Sequence, residues 1–326
     1  METGKKFDFQ FSYTIDILFF IQRMVDHLAG AELGAEVLKD VNRFHPILRD
    51  SSDKFLKKLS KDSEIIGELL VPLLLVHEAL HTEKASDILT DTRSIVQHFK
   101  NSSYYKLAYP DVKRFASGDL RTVCSYLEAI VLDLERLGFK SYWLEKRLLI
   151  LKMRSNEYAD TLGGLDVMTY LHNWLGSNHL MYANDWYVAS YCQDMESIVG
   201  NANLISSTVG EANLIATTIR HVVYRFSFTK TVKNHLKVIK KRLDIKSEFK
   251  DVRKSYLNLA HYVESNLKQA LTLHLTKQLK VESSPLTTDH VLAKELLNYM
   301  NTIPKTPSVP ALAYIDQVFL AIGSER

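Results

Sequence analysis

The stretch Leu73-Leu74-Leu75-Val76-His77-Glu78-Ala79-Leu80-His81, an apolar run that leads into the pentapeptide HEALH, is the segment around which the chain is organised. Residues four apart share one face of a helix, so His77 and His81 have the spacing at which two imidazoles bind one zinc ion. Glu78 then lies beside the ion, where its carboxylate accepts a proton from a zinc-bound water as a general base. The stretch therefore predicts a catalytic zinc centre on a helix from about Pro72 to Glu83.

HEALH matches the motif HExxH and thereby resembles the zinc metallopeptidases called zincins. The resemblance implies a zincin-like α+β fold, hydrolysis of peptide bonds, and a third zinc ligand on a helix roughly twenty to sixty residues downstream. Glu128 is the natural candidate for that ligand, because it is a polar interruption in an apolar window with helical periodicity; His98 is the second choice. Glu83 stands where the motif usually has an apolar residue, two positions after the second histidine.

A second segment, Ile219-Arg220-His221-Val222-Val223-Tyr224-Arg225-Phe226, followed later by Glu264, resembles a gluzincin site with two positions changed. In that family a helix carrying HExxH precedes a helix whose glutamate is the third zinc ligand. The match holds at His221 and Glu264, but Val222 and Arg225 replace the general base and the second histidine. Valine accepts no proton, and arginine is not deprotonated to bind a metal. On this alternative the protein is a catalytically inactive gluzincin relative, a pseudoenzyme that binds a partner.

Scattered landmarks extend this second resemblance, weakly, to some bacterial gluzincin-like proteins. In order along the chain they are Ile15-Asp16-Ile17-Leu18, Leu28-Ala29-Gly30, His45-Pro46, Tyr104-Tyr105 and Arg114-Phe115. They span most of the chain at isolated positions and include no intact catalytic motif. The sequence thus leaves two interpretations open: a zinc peptidase acting through HEALH, and an inactive relative that retains His221 and Glu264.

Hydrophobic periodicity predicts a mainly helical α+β protein with a few short strands; an all-α bundle with a β-ribbon is the alternative. Alternating residues from Phe7 to Ile15 predict a strand, and the run Trp186–Cys192 predicts another. Ala202-Asn203-Leu204-Ile205 recurs as Ala212-Asn213-Leu214-Ile215, which two further strands or chance would explain. The helices are predicted at 16–28, 31–43, 53–59, 62–70, 72–83, 85–99, 120–137, 141–158, 166–175, 214–226, 231–243, 247–279, 289–300 and 311–322.

The chain is long enough, at 326 residues and 46% apolar, to bury a large core, and we interpret it as one domain. Gly163-Gly164 is the candidate boundary between an N-terminal half, 1–162, and a C-terminal half, 165–326. A loop within one domain would have the same sequence signature. Phosphate-binding loops and the nucleophile motif GxSxG do not occur, which argues against nucleotide-dependent enzymes and serine hydrolases.

The charge pattern argues against nucleic acid as a partner. The formal charge is +3, from 41 basic and 38 acidic residues that are mostly interspersed. The segment Lys230–Lys254 is basic, but Asp244, Glu248 and Asp251 lie within it, which predicts charge pairs four residues apart on a solvated helix face. The expected partner is a peptide or a protein.

Cysteine and hydropathy patterns favour a cytoplasmic protein. Cys124 and Cys192 are the two cysteines, too few for a disulfide framework or a cysteine-based zinc site. The longest apolar stretch, Ile65–Val76, is too short for a membrane-spanning helix, and the N-terminal residues lack the apolar block of an export signal.

Overall fold

The computed structural model describes residues 7–62, 85, 89, 119–176, 185–192, 197–199, 202–242, 245–253, 256, 258–281, 291–306 and 309–324. The chain forms two compact units, each assembled from separate segments. We call Asp8–Asn156 with Asp185–Thr208 the sheet unit. Met1–Phe7, Glu157–Asn184 and Val209–Arg326 form the helical unit. The mainly helical α+β structure of the whole chain confirms the coarse fold prediction. The HEALH segment lies outside the described residues.

The sheet unit contains four short strands and a set of helices. The strands are β1 (Asp8–Gln10), β2 (Asp185–Ala189), β3 (Ser197–Val199) and β4 (Ala202–Ser206); the helices are α1 (Tyr13–Leu28), α2 (Ala35–Phe44), α3 (Asp50–Leu59), α4 (Asp119–Arg136), the single turn α5 (Phe139–Tyr142) and the first part of α6 (Leu148–Gly164). A π-helical segment, Trp143–Arg147, joins α5 to α6. The boundary predicted at Gly163-Gly164 falls on the last two residues of α6 and stays a prediction.

The N-terminal strand is shorter than its alternating pattern predicts. Pairing ends at Gln10, and α1 begins at Tyr13 because the Ser12 side chain caps the helix by accepting the Ile15 N–H at 3.3 Å. Tyr13 and Ile15, which fit the alternation, are instead buried residues of the first helical turn. The N-cap at Ser12 therefore makes this segment helical, although its alternating pattern predicts a strand.

The sheet has the order β1-β2-β4-β3, with β1, β2 and β4 parallel and β3 antiparallel to β4. Phe9 pairs with Trp186, and Tyr187 pairs with Leu204. This parallel pairing differs from the β-ribbon of the alternative fold prediction. Because the three strands are parallel, their carboxyl ends lie at one edge of the sheet, where α1 begins and where Ser190 and Tyr191 follow β2.

Aromatic side chains form the core beside that edge. Phe20 of α1 stacks on Phe139 at a centroid distance of 4.5 Å, and Phe44 meets Phe139 edge-on at 5.1 Å. Tyr191 packs against Phe20 at 4.9 Å. All four rings are at most 2% exposed, so residues from α1, α2, α5 and the segment after β2 share one apolar core.

The helical unit is built from the end of α6, α7 (Val167–Leu175), α8 (Glu211–Arg225), α9 (Thr229–Arg242), α10 (Ile245–Val252), α11 (Leu259–Gln278), α12 (Val291–Thr302) and α13 (Ala311–Ser324). Helix α11 packs against α8, α9 and α12, and α9 also packs against α13. The described helices include none long and apolar enough to cross a membrane.

In this part of the chain one alternative is decided and one prediction is wrong. The repeat Ala212–Ile215 is helical, within α8, although its twin Ala202–Ile205 is in strand β4. The single helix predicted at 247–279 is two helices, α10 and α11. Asn258 separates them by capping α11: its side chain accepts the His261 N–H at 3.0 Å.

Candidate functional site

The segment that carries HEALH is connected at both ends to one antiparallel helix pair, α3 and α4. Arg49, just before α3, donates its backbone N–H to Asp133 late in α4 at 2.7 Å, whereas Lys58 near the end of α3 contacts the hydroxyl of Tyr126 at 3.3 Å. The chain therefore leaves this pair at Asp62 and returns at Asp119 at the same end. His77, Glu78, His81 and His98 lie outside the described residues, between these two points.

Glu128, the predicted third ligand, lies on α4, the helix to which the chain returns. Its side chain is half-buried, and no hydrogen bond or ion pair joins its carboxylate to another described residue. Cys124, one turn earlier, is buried, and burial together with the Glu128 charge raises the pKa of its thiol to about 12. The thiol therefore stays protonated near neutral pH.

Glu264, the predicted ligand of the alternative site, accepts hydrogen bonds from residues at the junction between α8 and α9. Its two carboxylate oxygens accept the backbone N–H of Phe228 at 2.9 Å and the hydroxyl of Thr229 at 2.7 Å. Thr229 is the first residue of α9, so Glu264 places a negative charge at the amino end of that helix. His221 is buried in α8, which packs against α11.

Lys268, one turn after Glu264 on α11, completes this junction. Its ammonium group lies 3.2 Å from the Glu264 carboxylate and donates to the backbone carbonyl of Tyr224, in the last turn of α8, at 3.1 Å. A cation thus meets the carboxyl end of α8 while an anion meets the amino end of α9. We call these two residues the Glu264–Lys268 pair; its geometry joins consecutive helices.

A buried polar cluster in the sheet unit was not predicted from the sequence. Asp40 of α2 accepts hydrogen bonds from the hydroxyl of Tyr191 at 2.6 Å, from Nε of Arg147 at 2.8 Å and from the hydroxyl of Tyr142. The Arg147 guanidinium also donates to the carbonyl of Glu36 at 3.0 Å and lies 5.4 Å from the centre of the Tyr191 ring. We call Asp40, Tyr142, Arg147 and Tyr191 the Asp40 cluster.

Charges in the Asp40 cluster are matched. Burial alone would lower the pKa of Arg147, but Tyr191 and Asp40 outweigh it, and the pKa lies above its ordinary value. Burial and the Asp40 charge raise the pKa of Tyr142 to about 12, and burial raises that of Tyr191 well above 10. Both hydroxyls stay protonated near neutral pH and remain donors to the carboxylate. The cluster is therefore a satisfied ion pair with two hydroxyl donors.

Asp16 joins α1 to the carboxyl edge of the sheet. One carboxylate oxygen accepts the backbone N–H of Ser190 at 2.7 Å, and the other accepts the indole N–H of Trp143 at 2.6 Å. Burial raises the pKa of Asp16 to about 6, against the opposing effect of these hydrogen bonds. A lone acidic residue inside the apolar run Tyr13–Phe20 is the sequence signal that could have drawn attention to it.

The described residues include no group of three His, Cys, Asp or Glu side chains that could hold a metal ion. This statement covers Glu128, His221 and Glu264; the HEALH residues fall outside it. Comparison with known proteins gives no family model, no curated protein and no solved structure that matches the chain.

Proposed function

We propose that the protein is a zinc-dependent hydrolase of peptide bonds, with His77, His81 and Glu128 as the metal ligands and Glu78 as the general base. The observation that carries this choice of ligands is the contrast between the two candidate glutamates. Glu264 already has both oxygens engaged by Phe228, Thr229 and Lys268, whereas no described residue bonds the carboxylate of Glu128. A carboxylate must be deprotonated and accessible to bind zinc.

The position of the HEALH segment between α3 and α4 also supports Glu128 as the third ligand. The segment begins after α3 and ends before α4, and Glu128 lies nine residues into α4, about 14 Å along its axis. The third ligand would thus be supplied by a helix downstream of the motif, in the order that the zincin resemblance implies. When bound, zinc polarises the substrate carbonyl and lowers the pKa of a bound water. Glu78 would hold the proton released from that water.

A second candidate is a catalytically inactive, gluzincin-like binding protein that retains His221 and Glu264 as remnants. The structural use of Glu264 favours it, because a former ligand that also caps a helix would be retained after catalysis was lost. The two candidates differ in metal content, in peptidase activity and in the role of Glu78.

Metal analysis of the purified full chain tests the proposal. We expect about one zinc per chain in the wild-type protein, retention of zinc with loss of peptidase activity in Glu78→Gln, and at least about 10-fold weaker zinc binding in Glu128→Gln. Glu135→Gln is the matched control, since Glu135 lies two turns further along α4 and is equally half-buried. Zinc-free protein, or a Glu78→Gln variant with unchanged peptidase activity, would support the inactive relative instead.

A further inference from the structure

Helix α9 presents a continuous row of lysines to solvent. Its exposed basic residues are Lys230, Lys233, Lys237, Lys240 and Lys241. At about 100° per residue they fall within an arc of about 100°, and they extend along about 16 Å of the helix. The sequence of α9, Thr229–Arg242, contains no Asp or Glu. We call these five residues the lysine stripe.

The opposite face of α9 holds the helix in place. Val232 and Ile239 are fully buried, where α9 packs against α11 and α13. His235, on this side, lies 3.0 Å from the Asp316 carboxylate of α13. The apolar face and the nearby acidic residue of α13 are therefore directed away from the lysine stripe.

The charge pairs predicted for this segment stay a prediction, because Asp244 lies outside the described residues. Glu248 and Asp251 lie on α10, so α9 itself carries no acidic side chain. Lys233, Lys237 and Lys241 follow one another four residues apart, a spacing at which like charges repel. A bound polyanion would relieve this repulsion.

We propose that the lysine stripe binds the phosphate backbone of double-stranded nucleic acid. A duplex carries one charge per about 1.7 Å of its axis, so a row of ammonium groups about 16 Å long meets several phosphates at once. The flexible lysine stems allow each ammonium group to reach a phosphate without strict geometry. Binding of this kind is independent of base sequence and depends steeply on salt.

The composition of the lysine stripe favours a duplex over two other polyanions. Single strands are held by aromatic side chains that stack on bases, and α9 contains no Phe, Tyr or Trp. A peripheral membrane helix inserts an apolar face into lipid, but the apolar face of α9 is buried in the protein. The proposal is independent of the zinc site.

Fluorescence anisotropy with a labelled duplex DNA of about 20 base pairs tests the proposal, with the salt varied from about 50 to 200 mM. Five lysine–phosphate contacts predict a slope of about −4.5 for log K against log salt concentration. Replacing Lys233, Lys237 and Lys240 by Glu should weaken binding on the order of 100-fold and reduce the slope by about 2.7. The same three positions changed to Gln should reduce the slope equally and weaken binding less.

The control replaces three exposed lysines of the sheet unit, Lys54, Lys146 and Lys152, by Glu. It changes the net charge by the same amount and should weaken duplex binding less than about threefold. Circular dichroism establishes that both triple variants are folded. Equal losses in the two variants, or no duplex binding at the lowest salt, would overturn the proposal. Binding to vesicles containing phosphatidylserine without binding to the duplex would overturn it in favour of a membrane surface.

Discussion

The Asp40 cluster of the sheet unit and the Glu264–Lys268 pair of the helical unit hold buried carboxylates in different ways. Asp40 receives donors from Arg147 and Tyr191, which are 107 and 151 residues away in the chain. Glu264 receives donors from a residue 36 positions away and from its neighbour one turn along the same helix. The first arrangement secures the assembly of distant segments, whereas the second fixes one corner between consecutive helices.

Removing the Asp40 carboxylate should have the largest effect. Asp40→Ala leaves the buried guanidinium of Arg147 without its counter-ion, and we expect the free energy of unfolding to fall by about 3–5 kcal/mol. Urea unfolding followed by circular dichroism measures this change. Glu36→Ala, one turn earlier on α2 with an exposed side chain, is the control and should change stability by less than about 0.5 kcal/mol. Equal effects of the two substitutions would show that the cluster does not stabilise the sheet unit.

Asp16 and the carboxylates with a lowered folded pKa should change the free energy of unfolding in opposite directions as the pH rises. Its folded pKa of about 6 lies above the ordinary 3.8, so the folded state binds the proton more tightly than the unfolded state does. The resulting stability is present below about pH 4 and is lost as the pH rises through 6, by up to about 3 kcal/mol. Asp16→Asn removes this titration.

The measurement is Tm at intervals from about pH 4 to 7 for the wild-type protein and Asp16→Asn. Stability of the wild type relative to the variant should fall as the pH rises. The comparison cancels Asp53 and Asp133, whose pKa values are lowered and whose contributions have the opposite sign. Parallel pH profiles would mean that the hydrogen bonds from Ser190 and Trp143 keep Asp16 ionised.

The Glu264–Lys268 pair should show the smallest effect of the three. Glu264→Ala removes the cap of α9 and should lower the free energy of unfolding by about 2 kcal/mol, whereas Glu264→Gln should cost less because its amide oxygen still accepts the Phe228 N–H. A double-mutant cycle with Lys268→Met should give a coupling of about 1 kcal/mol. Additive effects would show that the two side chains act separately on the two helix ends.

Much of the helical fold was predictable because the apolar stripes are local signals. The helices predicted at 16–28, 120–137 and 311–322 agree with α1, α4 and α13 within a few residues. Errors occurred where a single polar side chain decides between two structures. Ser12 ends the alternating pattern and begins α1, and Asn258 divides a long helical pattern into α10 and α11.

The candidate sites were less predictable, because burial and partners depend on tertiary structure. The sequence predicted Glu128 as a ligand of the HEALH site and Glu264 as a ligand of a degenerate alternative site, and it did not indicate the hydrogen bonds that Glu264 accepts from Phe228 and Thr229. Asp40 stands in an ordinary amphipathic helix, and Arg147 is one of many basic residues. No local sequence pattern relates Asp40 to Arg147. The basic run and its position on a solvated helix face were predictable, but the sequence analysis did not separate the five lysines of α9 from the acidic residues that follow them.

The edge position of β1 has a consequence for synthesis of the chain. In the sheet, β1 pairs with β2 and has no other described neighbour, and β2 is encoded more than 170 residues later. At about 5–20 residues per second, a ribosome needs on the order of ten to thirty seconds to deliver that partner. During this interval Asp8–Gln10 has no β2 with which to pair. Chaperone binding at the N-terminal residues during translation would therefore protect the step on which completion of the sheet depends.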